Sequence, residues 1–309
     1  SLAVTPFSGM LAALLTALLW SLSVACAHRS AKLIGGTEAN FWRLTLATML
    51  LAAWAHLFGR GLSGVSFPLF LWSGIIGIGL GDVALFQALP RLGSRLSMVV
   101  VHCLATPFAA LIEFVWLGTR LTPVQLLFAV VILVGIGLAL KPRREVSFAN
   151  PGMVAGVLFG ALAALGTAFG AVLSRKGFAV AAEAGLDLDG GTTAYQRLVG
   201  GLFIAGLCLL FVKKGRIQSA AAAPVGEKWK RVWPWVAINA IAGQTLGVSC
   251  YQLALKTAPT GVVLPIVALA PLAVIPIARF VENERPEPRS ILGSVIAVAG
   301  VIGLIVSRQ

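Results

Sequence analysis

Charge is scarce in this chain of 309 residues. Only 11% of them are Asp, Glu, Lys or Arg, against about a quarter in an ordinary soluble domain, so there is too little charge to cover a water-facing surface. Acids are scarcer still, 11 against 24 Lys and Arg, for a formal net charge of +13. A basic excess can signal nucleic acid, but these bases sit singly or in short runs between apolar segments. That is the pattern of loop charges that set membrane topology, and no nucleic-acid partner is expected. The four cysteines, Cys26, Cys103, Cys208 and Cys250, each lie inside an apolar run, with no CxxC and no Cys/His spacing, which predicts neither disulfide nor structural metal. HExxH, GxSxG and paired-acid motifs are missing from every polar interval. Gly77-x-Gly79-x-Gly81 lies within an apolar run and lacks the strand-loop-helix setting of a phosphate loop. The chain therefore reads as neither an enzyme nor an ATP-driven machine, and no cofactor is expected. Long polar intervals are lacking too: the longest are Arg175 to Thr193 and Lys213 to Val232, too short for another soluble domain.

What is abundant is apolar sequence, 58% of the chain, with a mean hydropathy of +0.93. A bilayer-spanning helix needs about 20 predominantly apolar residues. Runs between Gly, Pro and charge breaks predict ten spans, at roughly 9 to 28, 39 to 58, 68 to 89, 96 to 117, 123 to 140, 152 to 174, 194 to 212, 233 to 255, 261 to 281 and 289 to 306. The first run, Met10 to Ala27, ends in Ala25-Cys26-Ala27 like a cleavage site. No base precedes it and it recurs in the second half of the chain, so it reads as a span.

That recurrence is the most informative feature. Gly9-Met10 answers Gly152-Met153, and Phe41-Trp42-Arg43-Leu44 answers Tyr195-Gln196-Arg197-Leu198. Phe86-Gln87 answers Tyr251-Gln252, each followed by a base, Arg91 or Lys256. Pro107 matches Pro271, Thr122-Pro123 matches Glu287-Pro288, and Gly135 matches Gly300, in unbroken order. Five spans per repeat is odd, so the halves, 1–145 and 146–309, cross the membrane in opposite senses. Inverted repeats place a site near the midplane at their interface, with access alternating as the halves rock. The fold expected is an all-α integral membrane protein: ten transmembrane helices as two inverted five-helix repeats around a central cavity.

These residues resemble the drug/metabolite transporter superfamily, in its ten-span form with two EamA domains, over nearly the whole chain. The likeness rests on Leu19-Trp20-Ser21, Arg43, Gly81-Asp82 with Ala88-Leu89 and Leu92-Gly93-Ser94-Arg95, and Pro107 with Leu117-Gly118-Thr119-Arg120-Leu121-Thr122. It rests also on Pro271 with Glu282-Asn283-Glu284-Arg285, and on the ends Gly135-Ile136-Gly137 and Gly300-Val301-Ile302-Gly303. The family usually carries Glu where Thr119 stands; this chain keeps an acid only in the second repeat, at Glu284. The resemblance implies export of amino acids or other small metabolites, without fixing the substrate.

Candidate working residues are the polar ones inside spans. Asp82 needs a partner or a watery cavity, since a lone carboxylate at the bilayer centre costs about 2.5–3.5 kcal/mol. It suits a proton site or an anchor for a substrate ammonium, or equally a structural pair with Arg43 or Arg91. His102, Thr106 and Glu113, four and seven residues apart, share one helix face; His102 and Glu113 are proton-coupling candidates with Asp82, and a lone His is also a common packing residue. Arg43 and Arg197 suit a substrate carboxylate, or snorkelling toward headgroups. Trp20 and Ser21 offer an aromatic wall and a hydroxyl, though Trp is also a large packing group. Asn239 and Gln244 lead the neutral polar candidates because span eight should pair with span three around the cavity. Pro107, Pro265 and Pro271 mark bends that suit a gate, or simply helix packing. Gly77-x-x-x-Gly81 reads as a helix contact motif.

Loops after odd-numbered spans hold fifteen bases, Arg29, Arg91, Lys141 and Lys213 among them; those after even spans, with the C-terminus, hold Arg60, Arg120, Arg175, Lys176, Lys256 and Arg308. This bias places the odd loops in the cytoplasm and both termini outside. The sequence thus points to a secondary transporter in the bacterial inner membrane, exporting a small metabolite, an amino acid first among the candidates, with the lipid bilayer as its surroundings and one chain sufficient. The competing reading is a helper or translocase for a lipid or lipid-linked substrate. A mere scaffold has no reason to keep Asp82, His102 and Arg43 inside spans.

Overall fold

A computed structural model describes residues 6–139, 151–216, 225–270, 272 and 288–307. Among these every regular element is a helix: α1 (Pro6–Ile34), α2 (Gly36–Leu57), α3 (Phe67–Gly74), α4 (Gly81–Leu117), α5 (Pro123–Ala139), α6 (Pro151–Glu183), α7 (Gly190–Arg216), α8 (Val225–Asn239), α9 (Val248–Thr257), α10 (Thr260–Val267) and α11 (Pro288–Val306). Two π-helical segments, Ile75–Leu80 and Ala240–Gly247, join α3 to α4 and α8 to α9. The expected spans fall largely on helix over their described residues, but in the ninth α10 ends at Val267 and Ala268 and Leu269 form a turn; Pro271 and Glu284 lie outside the described residues. Among the described residues, four helical stretches are long and apolar enough to cross a membrane: Phe67–Leu85, Val99–Leu117, Pro151–Glu183 and Gly190–Phe211. The helices overrun the apolar runs. In particular α6 continues nine residues past the expected end at 174, because Arg, Lys, Phe and Ala extend a helix as readily as they leave one. Arg175, read from sequence as a loop base, is thereby inside a helix.

The expected break between spans three and four is not a loop. Helical hydrogen bonding runs on from Phe67 to Leu117, yet the chain reverses within it. A straight helix would put Phe70 and Glu113 about 65 Å apart. Instead Phe70 packs on Gly177 and Glu113 bonds Arg175, near one end of α6, while Leu92 packs on Gly156 near the other. The stretch is a helical hairpin turning close to Pro90.

The π segments obey the repeat. The register that aligns Phe86-Gln87 with Tyr251-Gln252 carries 75–80 onto 240–245, inside the second π segment. The first packs on α6 and α7, the second on α1 and α2, so each π segment leans on the first two helices of the opposite repeat. Contacts also sort the bundle into two ends. Gly9 with Thr257, Gly59 with Thr192 and Leu121 with Gly261 meet at one, the Thr260 end. Ile34 and Ala39 with Val232 and Val236, and Trp42 with Trp229, meet at the other, the Trp229 end.

Large apolar side chains face outward in stripes. Leu11, Leu15, Leu18 and Leu22 of α1 are 43–59% exposed at helical spacing, a face suited to lipid rather than water. Inside, small residues let backbones meet, as expected where packing and not a hydrophobic driving force joins helices. A Cβ on Gly74 of α3 would stand 1.7 Å from the Arg197 carbonyl oxygen of α7. Between α5 and α11, a Cβ on Gly135 would stand 2.5 Å from the Ala297 nitrogen, whereas one on Gly137 would meet nothing within 4 Å. Gly135→Leu should therefore lower stability by about 1–3 kcal/mol through overpacking, and Gly137→Leu should be close to neutral. Denaturant unfolding of both variants in micelles checks the contrast; equal losses would sink it.

Candidate functional site

Asp82 stands in the first turn of α4, just past the first π segment. Its Oδ2 accepts from Arg43 Nη2 of α2 at 3.2 Å, and the two side chains are 23% and 16% exposed. Arg43 Nε also donates to Asn40 Oδ1, one helical turn earlier, at 2.7 Å. Of the two partners open to Asp82 from sequence, Arg91 goes elsewhere: it donates to Gln87 in its own helix and lies 5.1 Å over the Phe159 ring.

The repeat mate of Arg43, Arg197 of α7, is buried. Its guanidinium carbon lies 5.4 Å from the centroid of Tyr251, and Tyr251 lies 5.4 Å from Trp20. Gly77 and Gly170 make room for it: a Cβ on either would come within 3.0 Å of Nη2. The second π segment then gathers α1. Its i→i+5 pattern offers carbonyls to outside donors, and Trp20 Nε1 donates to Gly243 O at 3.0 Å while Thr16 Oγ1 reaches Gly247 O at 3.3 Å. Ser23, not Ser21, makes the bond across to Asn239, at 2.6 Å; Ser21 turns back onto Leu18 O in its own helix. Gln244 is buried here with Oε1 unpartnered, as are Arg197 Nε and Tyr251 Oη. Trp20, Asn239 and Gln244 thus share one region, with Arg43 and Asp82 beside the matching π segment.

The polar stripe of α4 divides. Thr106 is buried and its hydroxyl donates back to His102 O at 3.3 Å. The His102 imidazole is half-buried and has no hydrogen-bond or ion-pair partner among the described residues. Glu113, 2% exposed, belongs to a separate network at the Thr260 end. Its Oε1 accepts from Arg175 Nε at 2.9 Å, and its Oε2 accepts both the Thr260 backbone N–H, at 2.7 Å, and the Thr260 hydroxyl. Arg175 Nη1 donates on to the Leu255 and Ala258 carbonyls at 3.0 and 2.9 Å. Arg175 and Thr260 were not among the candidates read from sequence. Pro107 is exposed within α4 and Pro265 is buried within α10.

Further bonds close the same end. Gln196 donates to the Gly61 carbonyl at 2.9 Å, and Lys256 pairs with Asp187. Asp189 caps α7: it accepts the Thr192 N–H at 2.9 Å, the Thr192 hydroxyl, and Trp54 Nε1 at 3.0 Å. Partial burial pushes its pKa up, but the hydrogen bonds from Thr192 and Trp54 outweigh this and hold it below the ordinary carboxylate value. The Trp229 end has looser ties among the described residues, chiefly ring contacts such as Arg29 over Trp235 at 4.8 Å. The bundle is latched at one end.

Two predictions follow from the latch. Glu113→Ala leaves Arg175 and the Thr260 N–H without their acceptor in a buried setting, and should cost about 3–5 kcal/mol. Glu113→Met combined with Arg175→Met should recover much of that loss in the same unfolding assay; no recovery would argue against a paired role. Because the folded pKa of Asp189 is depressed, its contribution is present above the unfolded value of about 3.9 and is lost as pH falls through the folded value. Acid titration of thermal stability should therefore show a decline below about pH 4 that Asp189→Asn flattens, and an unchanged decline would remove the assignment.

The EamA-like transporter family matches this sequence twice, at residues 7–141 and 154–306. A solved crystal structure superposes with a TM-score of 0.75 over 96% of both chains at 19% identity, a likeness of fold. Among curated proteins, the probable 4-amino-4-deoxy-L-arabinose-phosphoundecaprenol flippase subunit ArnE of Pseudomonas paraeruginosa (strain DSM 24068 / PA7) is 38% identical over 69 residues, 22% of this chain. The corresponding ArnE of Pseudomonas aeruginosa (strain UCBPP-PA14) is 37% identical over 70 residues, 23% of this chain. The matched stretch spans 57% and 58% of those two proteins. With both of its halves matched in order, the chain is a multi-pass membrane protein that belongs to the EamA-like transporter family of the drug/metabolite transporter superfamily.

Proposed function

We propose that this chain is a secondary carrier of the bacterial inner membrane that moves a polar-headed, lipid-linked substrate between leaflets. Ten spans in two inverted repeats, 1–145 and 146–309, would alternate access to a site formed by Trp20, Arg43, Asp82, Asn239 and Gln244. The observation that carries the reading is the partly exposed Arg43–Asp82 pair beside one π segment, in a bundle whose Thr260 end is latched. With the basic loops at the Trp229 end taken as cytoplasmic, this is a conformation accessible from inside. The names of the ArnE relatives, flippase subunits for an amino-sugar phosphate on a lipid, support a lipid-linked substrate. Those relatives are named as subunits; two repeats in one chain supply both halves, so a single chain is sufficient here. Ser21, Thr106 and the His102 and Glu113 proton routes have less support, since Ser21 and Thr106 are spent within their own helices and Glu113 within the latch.

Amino-acid export is the second reading, favoured by the opposite charges of Arg43 and Asp82, which match a carboxylate and an ammonium. One reconstitution separates the two. Proteoliposomes would carry a fluorescent amino-lipid phosphate, scored by reductant access from outside, and in parallel a panel of radiolabelled amino acids with and without a pH gradient. Lipid translocation that Asp82→Asn and Arg43→Gln each cut at least tenfold is the expected result. Saturable amino-acid uptake with the same sensitivity would establish the second reading, and neither activity from folded protein would overturn both.

A further inference from the structure

The repeat supplies its intramembrane arginine twice and its intramembrane acid once. Arg43 and Arg197 are equivalents, but the register that aligns Gln87 with Gln252 sets Gly247 where a second Asp82 would stand. The space that a side chain would take at Gly247 is filled by the Trp20 indole, 2.6 Å from where a Cβ would be. Asp82 lies within electrostatic range of both arginines, yet its ion pair is with Arg43. Among the described residues no acid lies within ion-pair distance of Arg197, which is 4% exposed and carries an unpartnered Nε, with the Tyr251 phenol interacting with the same guanidinium. Among the described residues, two cations and one anion leave one positive charge over, in a part of the molecule where charge is poorly solvated.

We propose that Arg197 and Tyr251 form a receptor for a substrate oxyanion, the phosphate of a lipid-linked headgroup or a free carboxylate, whose charge completes the two-arginine, one-aspartate centre. The assignment rests on the carrier reading and deepens it by naming the substrate as anionic. A guanidinium offers fork-shaped donors suited to an oxyanion, and the phenol adds a donor on the same side. Gly77 and Gly170 hold the guanidinium against two backbones, so its position is fixed in advance of binding. The Asp82 carboxylate, close by and of the same sign as the ligand, opposes binding and so promotes release.

That last feature gives a test that a purely structural Arg197 would not pass. The full chain in neutral detergent would be titrated calorimetrically with decyl phosphate, decanoate, inorganic phosphate and, as an uncharged control, decyl glucoside. Binding of decyl phosphate without the glucoside is expected; inorganic phosphate alone binding equally would assign a free anion, and decanoate alone a carboxylate. Arg197→Gln should weaken the anion at least tenfold and Tyr251→Phe by a few-fold. Asp82→Asn should tighten it several-fold, although the same substitution cuts transport at least tenfold in the carrier reading. Retained affinity in Arg197→Gln, or weaker affinity in Asp82→Asn, overturns the receptor. If Arg197→Gln does not fold, the opposite signs expected of Tyr251→Phe and Asp82→Asn still decide. Tight anion binding without any transport activity would keep the receptor and discard the carrier.

Discussion

A polar group inside hydrocarbon has no water to turn to, and it must find its partner within the protein. Much of the arrangement follows from that constraint. Thr16, Ser23 and Trp20 spend their donors on the second π segment. Ser73 donates to the Gly170 carbonyl. Glu113 is surrounded by donors from two other helices. Other buried polar atoms among the described residues have no hydrogen-bond partner, and among these, those at Arg197, Gln244, Tyr251 and Gln252 lie on α7, the second π segment and α9.

The two repeats share a frame and differ in what they do with it. Both place a π segment in their third helix against the first two helices of the other half. Around the first segment stands an ion pair, Arg43 with Asp82; around the second stands a neutral mesh in which Ser23 and Trp20 of α1 meet Asn239 and Gly243, with Arg197 over an aromatic ring. The two ends of the bundle are unequal in chemistry as well. Hydrogen-bonded pairs draw the Thr260 end together, and aromatic contacts line the Trp229 end.

The helical class and the repeat were legible because bilayer thickness fixes a run length and duplication preserves Gly, Pro and aromatic landmarks in order. Asp82 with Arg43 was legible as one of two partnerships, since an intramembrane acid must be paired. Glu113 with Arg175 was not: they are 62 residues apart, and Arg175 resembled a topology signal while lying inside an extended α6. Ser23 was hidden behind Ser21, because which of two hydroxyls on one helix faces a neighbour depends on a rotation that no apolar stripe marked. The hairpin near Pro90 kept helical bonds where a loop was expected, a distinction that composition does not record.

The π segments explain another part of that illegibility. A stretch bonded i→i+5 winds more slowly than the α-helix on either side, and each added residue offsets the two flanks by up to about 100°. Gly74 and Gln87, or Asn239 and Gln252, are therefore not in a common angular frame although each pair lies on one continuous rod. A helical wheel drawn straight through either segment assigns its far half to the wrong compass direction, and the third helix of each repeat is better regarded as two short helices sharing an axis, each with its own inward face.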